Sequence, residues 1–74
     1  MQPFRKPPER QEFQEGCRVE VVVPAHHRDA QYDGAVGDLE HIGWNGTKHI
    51  GKVNVESEIL GGARYFVLDC LRRL

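Results

Sequence analysis

The stretch CRVEVVV, residues 17–23, alternates between an apolar face and a more polar one, and β-branched side chains predominate in it. The apolar face comprises Cys17, Val19, Val21 and Val23. A period of two residues is typical of a half-buried β-strand, so we predict the first strand here. Pro24 follows directly and cannot donate a hydrogen bond to a neighbouring strand, so we expect the strand to end there.

A second apolar stretch, AVGDLEHIG, follows Gly34 but does not keep strict alternation. Its apolar residues Val36, Leu39 and Ile42 recur at every third position. A β-bulge or a tight bend at Gly37 would account for this spacing, so we predict a strongly curved second strand.

Turn signals divide the next part of the chain. Asn45-Gly46 predicts a hairpin reversal, because both residue types tolerate the positive φ of tight turns. A third strand is expected within TKHIGKVNVESE, residues 47–58, where Val53 and Val55 alternate with polar residues. Gly61-Gly62 predicts the following reversal.

Two more elements are predicted near the C-terminus. ARYFV, residues 63–67, is aromatic and β-branched enough for a fourth strand. Leu68, Leu71 and Leu74 suit one turn of 3₁₀-helix that leads into a short last strand. This element order, with a long first connection and tight middle ones, is that of a small barrel. We therefore predict an all-β fold, an SH3-like five-stranded small barrel.

The N-terminal residues differ in composition from the rest of the chain. Residues 1–15 contain three prolines among charged and amide side chains, and their only aromatic residues are Phe4 and Phe13. Such a segment buries too little apolar surface to offset its ordering entropy. We predict a disordered or extended tail over residues 1–15, either solvated or docked on a partner, and a barrel domain over residues 16–74.

Length and charge narrow the functional classes. A chain of 74 residues has a small core, so we expect a homo-oligomer that pairs apolar edge strands. Ten Lys and Arg residues against eleven Asp and Glu residues give a net charge of −1, which does not suit a non-specific DNA-binding protein. No apolar run approaches the ~20 residues of a membrane span, and no secretory signal is evident, so we expect a cytoplasmic protein without a membrane partner.

The cysteines and histidines do not form a recognisable metal or catalytic motif. Cys17 and Cys70 are too few for a disulfide scaffold, so we expect buried free thiols rather than a disulfide. His41 and His49 lie on the two arms that flank the hairpin, and their ring nitrogens could approach each other if the arms pair. No nucleophile with a base, carboxylate pair or phosphate-binding loop has supporting context. We expect no catalytic residue, no metal and no cofactor.

The long first connection, PAHHRDAQYDG, residues 24–34, combines cations with an aromatic residue, and the Trp44 hairpin does the same. The candidate binding residues are His26, His27, Arg28, Tyr32, Trp44 and Lys48. Aromatic side chains among cations suit protein hot spots and single-stranded nucleic acid, and the low net charge favours a protein or small-molecule partner. The structural alternative is that Trp44 caps the barrel and Tyr32 packs below the loop.

Two short motifs carry a resemblance to SH3-like barrels: Phe13-x-x-Gly16-x-Arg18-Val19 and Tyr32-x-Gly34-x-Val36-Gly37. They resemble the start of KOW-type modules of ribosomal and transcription proteins. The chain also looks like the PsaE subunit of photosystem I and the variable chain of ferredoxin-thioredoxin reductase in its Pro-ended strand and closing leucine stretch. These likenesses imply a fold more than a function.

The first motif, Tyr32-x-Gly34 and the stretch VESE, residues 55–58, are also similar to the plasmid-borne type II dihydrofolate reductases. The similarity implies an SH3-like barrel with a disordered N-terminal tail. In that family a Val-Gln-Ile-Tyr stretch from four subunits lines a shared pore, and a lysine near the end of the first strand helps to hold the substrates. Here the matching stretch is RYFV, residues 64–67, and Glu20, Val21 and Val22 replace the basic residues, so the glutamine amide and the lysine charge are absent.

We therefore predict a non-catalytic binding or assembly module that uses the first loop and the Trp44 hairpin. The alternatives are a type II dihydrofolate reductase-like enzyme with an altered site and a KOW-like nucleic-acid-binding module. Fold alone does not decide among them.

Overall fold

The computed structural model describes residues 12–74 and contains five β-strands and two single turns of 3₁₀-helix. The strands are β1 (Arg18–Val21), β2 (Val36–Trp44), β3 (His49–Glu56), β4 (Gly62–Val67) and β5 (Leu71–Arg73). The 3₁₀ turns are η1 (Ala30–Tyr32) and η2 (Leu68–Cys70). The all-β class, the five strands and the 3₁₀ turn before the last strand are confirmed. The tail predicted for residues 1–15 falls, over residues 1–11, outside the described residues.

The strands form one antiparallel sheet in the order β4-β3-β2-β1-β5. η2 carries the chain from β4, at one end of the sheet, to β5, at the other. In a flat sheet four strand spacings of about 4.8 Å would separate these ends by about 19 Å, whereas three residues of 3₁₀-helix rise about 6 Å. The sheet therefore curls. It is compatible with a small barrel, and since β4 and β5 do not pair within residues 12–74, closure stays a prediction.

The core lies on one face of the curled sheet. Its buried hydrophobic residues are Phe13, Val19, Val21, Val23, Tyr32, Leu39, Val53, Val55, Phe66, Leu68 and Leu71. The apolar face predicted for residues 17–23 is in this core, with Cys17 half-buried against it. Phe13, which the predicted boundary at residue 16 left in the tail, is only 6% exposed. The packed part of the chain therefore begins before residue 16.

β1 is shorter than predicted. The strand was expected to run to Pro24, but it ends at Val21. The N–H of Val22 still donates to the carbonyl oxygen of Cys70 at 2.8 Å, in the register in which Val21 lies opposite Leu71. The N–H of Val23 donates to a side chain instead, Oδ1 of Asp33 at 3.0 Å.

β2 contains its bulge at Glu40 rather than at Gly37, so the predicted position is wrong. The register with β3 shifts between Leu39 and His41. Gly37 pairs regularly and has another role, since a Cβ there would clash with the backbone oxygen of Asn54. The extra residue reverses the alternation of faces, so that Ile42 and Trp44, rather than His41, follow Leu39 on the core-facing side.

The hairpin predicted at Asn45-Gly46 is confirmed as the loop of residues 45–48. Oδ1 of Asn45 accepts the N–H groups of Thr47 at 2.9 Å and Lys48 at 2.7 Å, and Gly46 has φ 98°. The reversal predicted at Gly61-Gly62 begins earlier, at Ser57, whose hydroxyl oxygen accepts two backbone N–H groups. Side-chain oxygens thus replace missing backbone acceptors in both turns.

The outer face of the sheet carries exposed ion pairs across the strands. Arg18 on β1 donates to Asp38 at 3.1 Å and to both carboxylate oxygens of Glu56. The hydrogen bonds from Arg18 hold the pKa of the Glu56 carboxyl below its usual value. Arg72 on β5 donates through Nε and a terminal guanidinium nitrogen to a single oxygen of Glu20, Oε1. Exposed pairs of this kind contribute little stability and mainly favour the observed register.

Candidate functional site

The connection between β1 and β2, residues 22–35, is a series of tight turns. The N–H of His27 donates to the carbonyl oxygen of Pro24 at 3.0 Å, and further backbone bonds of this kind follow through η1. At its far end the N–H of Gly34 donates to the carbonyl oxygen of Val21 at 2.8 Å. Backbone hydrogen bonds therefore hold the first loop against the end of β1.

Tyr32 anchors this loop in the core. Its side chain is 3% exposed, and its ring packs edge-to-face on Phe66 with 5.5 Å between the ring centroids. The guanidinium carbon of Arg64 lies 5.5 Å from the centroid of the Tyr32 ring, and the phenolic oxygen has no hydrogen-bond partner in the described part of the chain. Tyr32 thus packs below the loop, and its ring is not accessible to a ligand that approaches from solvent.

Trp44 and His49 form the last cross-strand pair before the hairpin loop. Their ring centroids are 5.0 Å apart and the ring planes meet at 65°. The bulge at Glu40 directs this pair to the core-facing side of the sheet, beyond the core itself, and Trp44 remains 36% exposed. An aromatic pair is therefore accessible at this end of the molecule.

η2 joins the first loop to the hairpin loop. Oδ2 of Asp69 lies 3.8 Å from Nζ of Lys48, and Sγ of the next residue, Cys70, lies 4.0 Å from Nε2 of His27. The two loops attach to opposite ends of β2, which would separate them by roughly 30 Å in a flat sheet. The curl of the sheet brings them together. We call the surface formed by the first loop, η2 and the hairpin loop with Trp44 and His49 the loop–hairpin surface.

Cys70, His27 and Asp29 have the residue types of a nucleophile, a base and an orienting carboxylate. Nδ1 of His27 accepts the N–H of Asp29 at 3.0 Å, so the neutral imidazole carries its proton on Nε2, the atom nearest Cys70. Burial, and then the carboxylates of Asp29 and Asp69, raise the pKa of the Cys70 thiol. A thiol that stays protonated is a weak nucleophile. The contact between Cys70 and His27 is therefore better suited to holding the first loop against η2 than to catalysis.

The structure places the six predicted binding residues in three settings. His27 contacts η2 at Cys70 and Lys48 contacts it at Asp69, and Trp44 lies at the end of the same hairpin as Lys48. His26 and Arg28 are exposed in the first loop, whereas Tyr32 is buried. Their role in binding stays a prediction, and direct stacking of a ligand on Tyr32 is not supported.

Three residues of this surface were not predicted: His49, Asp69 and Cys70. The leucine spacing predicted the turn that contains Asp69 and Cys70. It could not indicate which loops that turn contacts, because the contacts join residues 21 to 43 positions apart. The position of His49 beside the hairpin could have marked it as a candidate. The face on which it lies depends on the bulge at Glu40, and the sequence does not indicate that bulge.

His41 and His49 do not approach each other. His41 pairs with Lys52 in the ladder and His49 with Trp44, so their side chains lie on opposite faces of the hairpin. Nδ1 of His41 lies 3.5 Å from Oε2 of Glu15. No group of three or more His, Cys, Asp and Glu side chains within residues 12–74 is arranged to hold a metal ion.

Cys17 and Cys70 are free thiols, as predicted, but both are half-buried rather than fully buried. In the described range no helix is long and apolar enough to cross a membrane.

Comparisons of the chain with models of protein families, with curated proteins and with solved structures found no match. The all-β sheet is established by the structure, whereas membership of the SH3-like superfamily stays a prediction based on the motifs given above.

Proposed function

We propose that this chain is a non-catalytic binding or assembly module and that the loop–hairpin surface contacts its ligand. The joining of the two loops by η2 carries the proposal, because it brings polar, cationic and aromatic side chains from distant parts of the chain to one surface. Trp44 supplies partly exposed aromatic area, and His26, Arg28 and Lys48 supply donors. A protein or a small molecule is the proposed partner.

Fragment mapping by NMR tests this surface. A panel of small aromatic carboxylates and aromatic amines is titrated into the uniformly ¹⁵N-labelled chain. Binding should shift the amide signals of His27, Lys48 and Cys70 and the indole signal of Trp44, the only tryptophan of the chain. Trp44→Ala should abolish the amide shifts, whereas Tyr65→Ala, which removes an exposed aromatic ring elsewhere, should leave them and the indole shift unchanged. Shifts that cluster outside this surface, or none at all, would contradict the proposal.

The two alternative functions supply direct counter-tests. A reductase would oxidise NADPH only when dihydrofolate is present, and a KOW-like module would bind oligonucleotides with an affinity that falls as salt rises. Either result would overturn the proposal of a non-catalytic module with a protein or small-molecule partner.

We also propose a homo-oligomer and a cytoplasmic location. Eleven buried hydrophobic residues in the described range make a small core, which an interface would extend, and free cysteines suit a reducing compartment. The end strands are less apolar than expected, since β4 carries Arg64 and β5 carries Arg72 and Arg73. Light scattering tests the oligomer, and a monomeric mass would refute it.

A further inference from the structure

β4 forms one end of the sheet, and no strand within residues 12–74 pairs with its outer edge. Its six residues, GARYFV, pair with β3 in uninterrupted register from Gly62 to Val67. Alternate residues of an edge strand direct their N–H and C=O groups away from the sheet, where an additional strand can bind them. β4 therefore presents an uninterrupted run of backbone donors and acceptors.

Arg64 gives this edge a positive charge on the core-facing side. It lies opposite Val53 in the ladder and over the ring of Tyr32, and it is exposed. No carboxylate of the described residues lies within ion-pair distance of it, in contrast to Arg18 and Arg72. A guanidinium that an aromatic ring positions, and that has no counter-ion in the described part of the chain, is well suited to bind a carboxylate.

Tyr65 supplies the complementary apolar contact on the other side of the edge. Its side chain is 66% exposed and faces Lys52 across the ladder. Because successive residues of a strand point to opposite faces, a strand added beside β4 would place one side chain near Arg64 and the next near Tyr65. The edge therefore fits a partner that alternates acidic and apolar residues.

We propose that the outer edge of β4 binds an extended acidic peptide by strand addition, with a carboxylate on Arg64 and an apolar side chain on Tyr65. A second copy of β4 fits less well, because β4 contains no Asp or Glu. No register of self-pairing therefore supplies Arg64 with a counter-ion, and a register centred on Arg64 would oppose two guanidinium groups. This site meets the loop–hairpin surface at the ring of Tyr32, over which Arg64 lies, but it does not depend on the function proposed for that surface.

The probe is the peptide acetyl-TEVEVT-amide, and its matched control is acetyl-TQVQVT-amide, in which each Glu is replaced by Gln. Titration into the ¹⁵N-labelled chain should shift β4 amide signals and leave the Trp44 indole signal unchanged. We expect the acidic peptide to bind about fivefold more tightly than the Gln peptide, as for an exposed ion pair. Equal affinities, or shifts that spare β4, would overturn the proposal.

Charge reversal provides the second test. Arg64→Glu should lose the preference for the acidic peptide and prefer acetyl-TKVKVT-amide instead, whereas Arg73→Glu, the same charge change at the other end of the sheet, should retain the original preference. Tyr65→Ala should weaken both Glu and Gln peptides equally and preserve their ratio. A preference that does not reverse in Arg64→Glu, or a dimer without peptide whose β4 amides are protected from exchange, would refute the acidic peptide as the occupant.

Discussion

The first loop and the hairpin loop meet at one surface but are held there by different means. The first loop inserts the buried ring of Tyr32 into the core and bonds its backbone to the end of β1. The hairpin loop is stabilised locally, by the side chain of Asn45 and the positive φ of Gly46, and it leaves Trp44 partly exposed. The first loop therefore contributes to the stability of the whole fold, whereas the hairpin loop depends mainly on its own local hydrogen bonds.

Within the loop–hairpin surface, the first loop therefore contributes mainly to stability and the hairpin mainly to the proposed ligand contact. Side chains of the first loop that lie near the core cannot change without loss of packing, whereas the hairpin offers an aromatic ring whose removal leaves the core intact. We therefore expect substitutions in the two loops to have unequal effects on the free energy of unfolding and on binding.

Tyr32→Ala should have the largest effect, because it removes a buried ring that packs on Phe66. We expect a loss of about 3–5 kcal/mol in the free energy of unfolding, measured by urea denaturation. Tyr32→Phe is the matched control. It should cost nothing, because the phenolic oxygen is buried without a partner in the described residues. A loss of more than about 1 kcal/mol in Tyr32→Phe would show that the hydroxyl group is bonded.

Trp44→Ala should cost less, about 2 kcal/mol, because over a third of the residue is already exposed. The same variant should lose the fragment-induced NMR shifts at His27 and Lys48. A loss of unfolding free energy as large as that of Tyr32→Ala would mean that Trp44 caps the core and is primarily structural, which would remove the contrast between the loops.

Gly34→Ala and Gly46→Ala should have similar, smaller effects in the two loops. Both glycines have positive φ, 84° and 98°, and a Cβ at either position would meet no atom within 4 Å, so only backbone strain of about 1 kcal/mol applies. Gly43→Ala, with ordinary φ and its nearest contact at 3.7 Å, is the control and should cost less. A much larger loss in Gly34→Ala, by urea denaturation, would show that the turn and Tyr32 act as one unit.

The alkylation rate of Cys70 should report the contact between the first loop and η2 without a large change in stability. In the Cys17→Ser background, Cys70 should react with iodoacetamide more slowly at pH 8 than a cysteine in an unfolded peptide, because its raised pKa keeps it protonated there. The rate should rise as pH increases toward that raised pKa. Adding Tyr32→Ala should speed the reaction if it releases the first loop from η2. Equal rates for the folded and the unfolded chain would contradict the contact between Cys70 and His27.

Local sequence predicted the elements well where one residue type dictates the backbone. The alternating valines predicted β1, and Asn45-Gly46 predicted the hairpin, because side-chain period and turn chemistry act over a few residues. The errors lie where a distant group competes. β1 ends at Val21, and the side chain of Asp33 takes the N–H of Val23. The bulge lies at Glu40, whereas Gly37 pairs regularly and closely approaches the backbone of Asn54.

Only part of the candidate site could be predicted from the sequence. Its loops could be named from composition, and Trp44 and Lys48 were identified as exposed candidates. Tyr32 was named as a candidate contact, with packing below the loop as the alternative, and the structure supports the alternative. The sequence could not decide between them, because burial depends on how the loop closes over Phe66, which is far along the chain. Asp69 and Cys70 were overlooked for the same reason.

By itself the sequence determined that this chain is an all-β domain with five short strands, the positions of its main turns, and most of the face that is buried, because these follow from side-chain alternation and from the backbone preferences of Gly, Asn and Pro. Only the tertiary structure decided which loops share a surface, which aromatic ring is exposed and which strand edge carries an arginine that has no counter-ion among residues 12–74. Those properties depend on the curl of the sheet and on the placement of a single extra residue at Glu40, and neither leaves a local pattern in the chain.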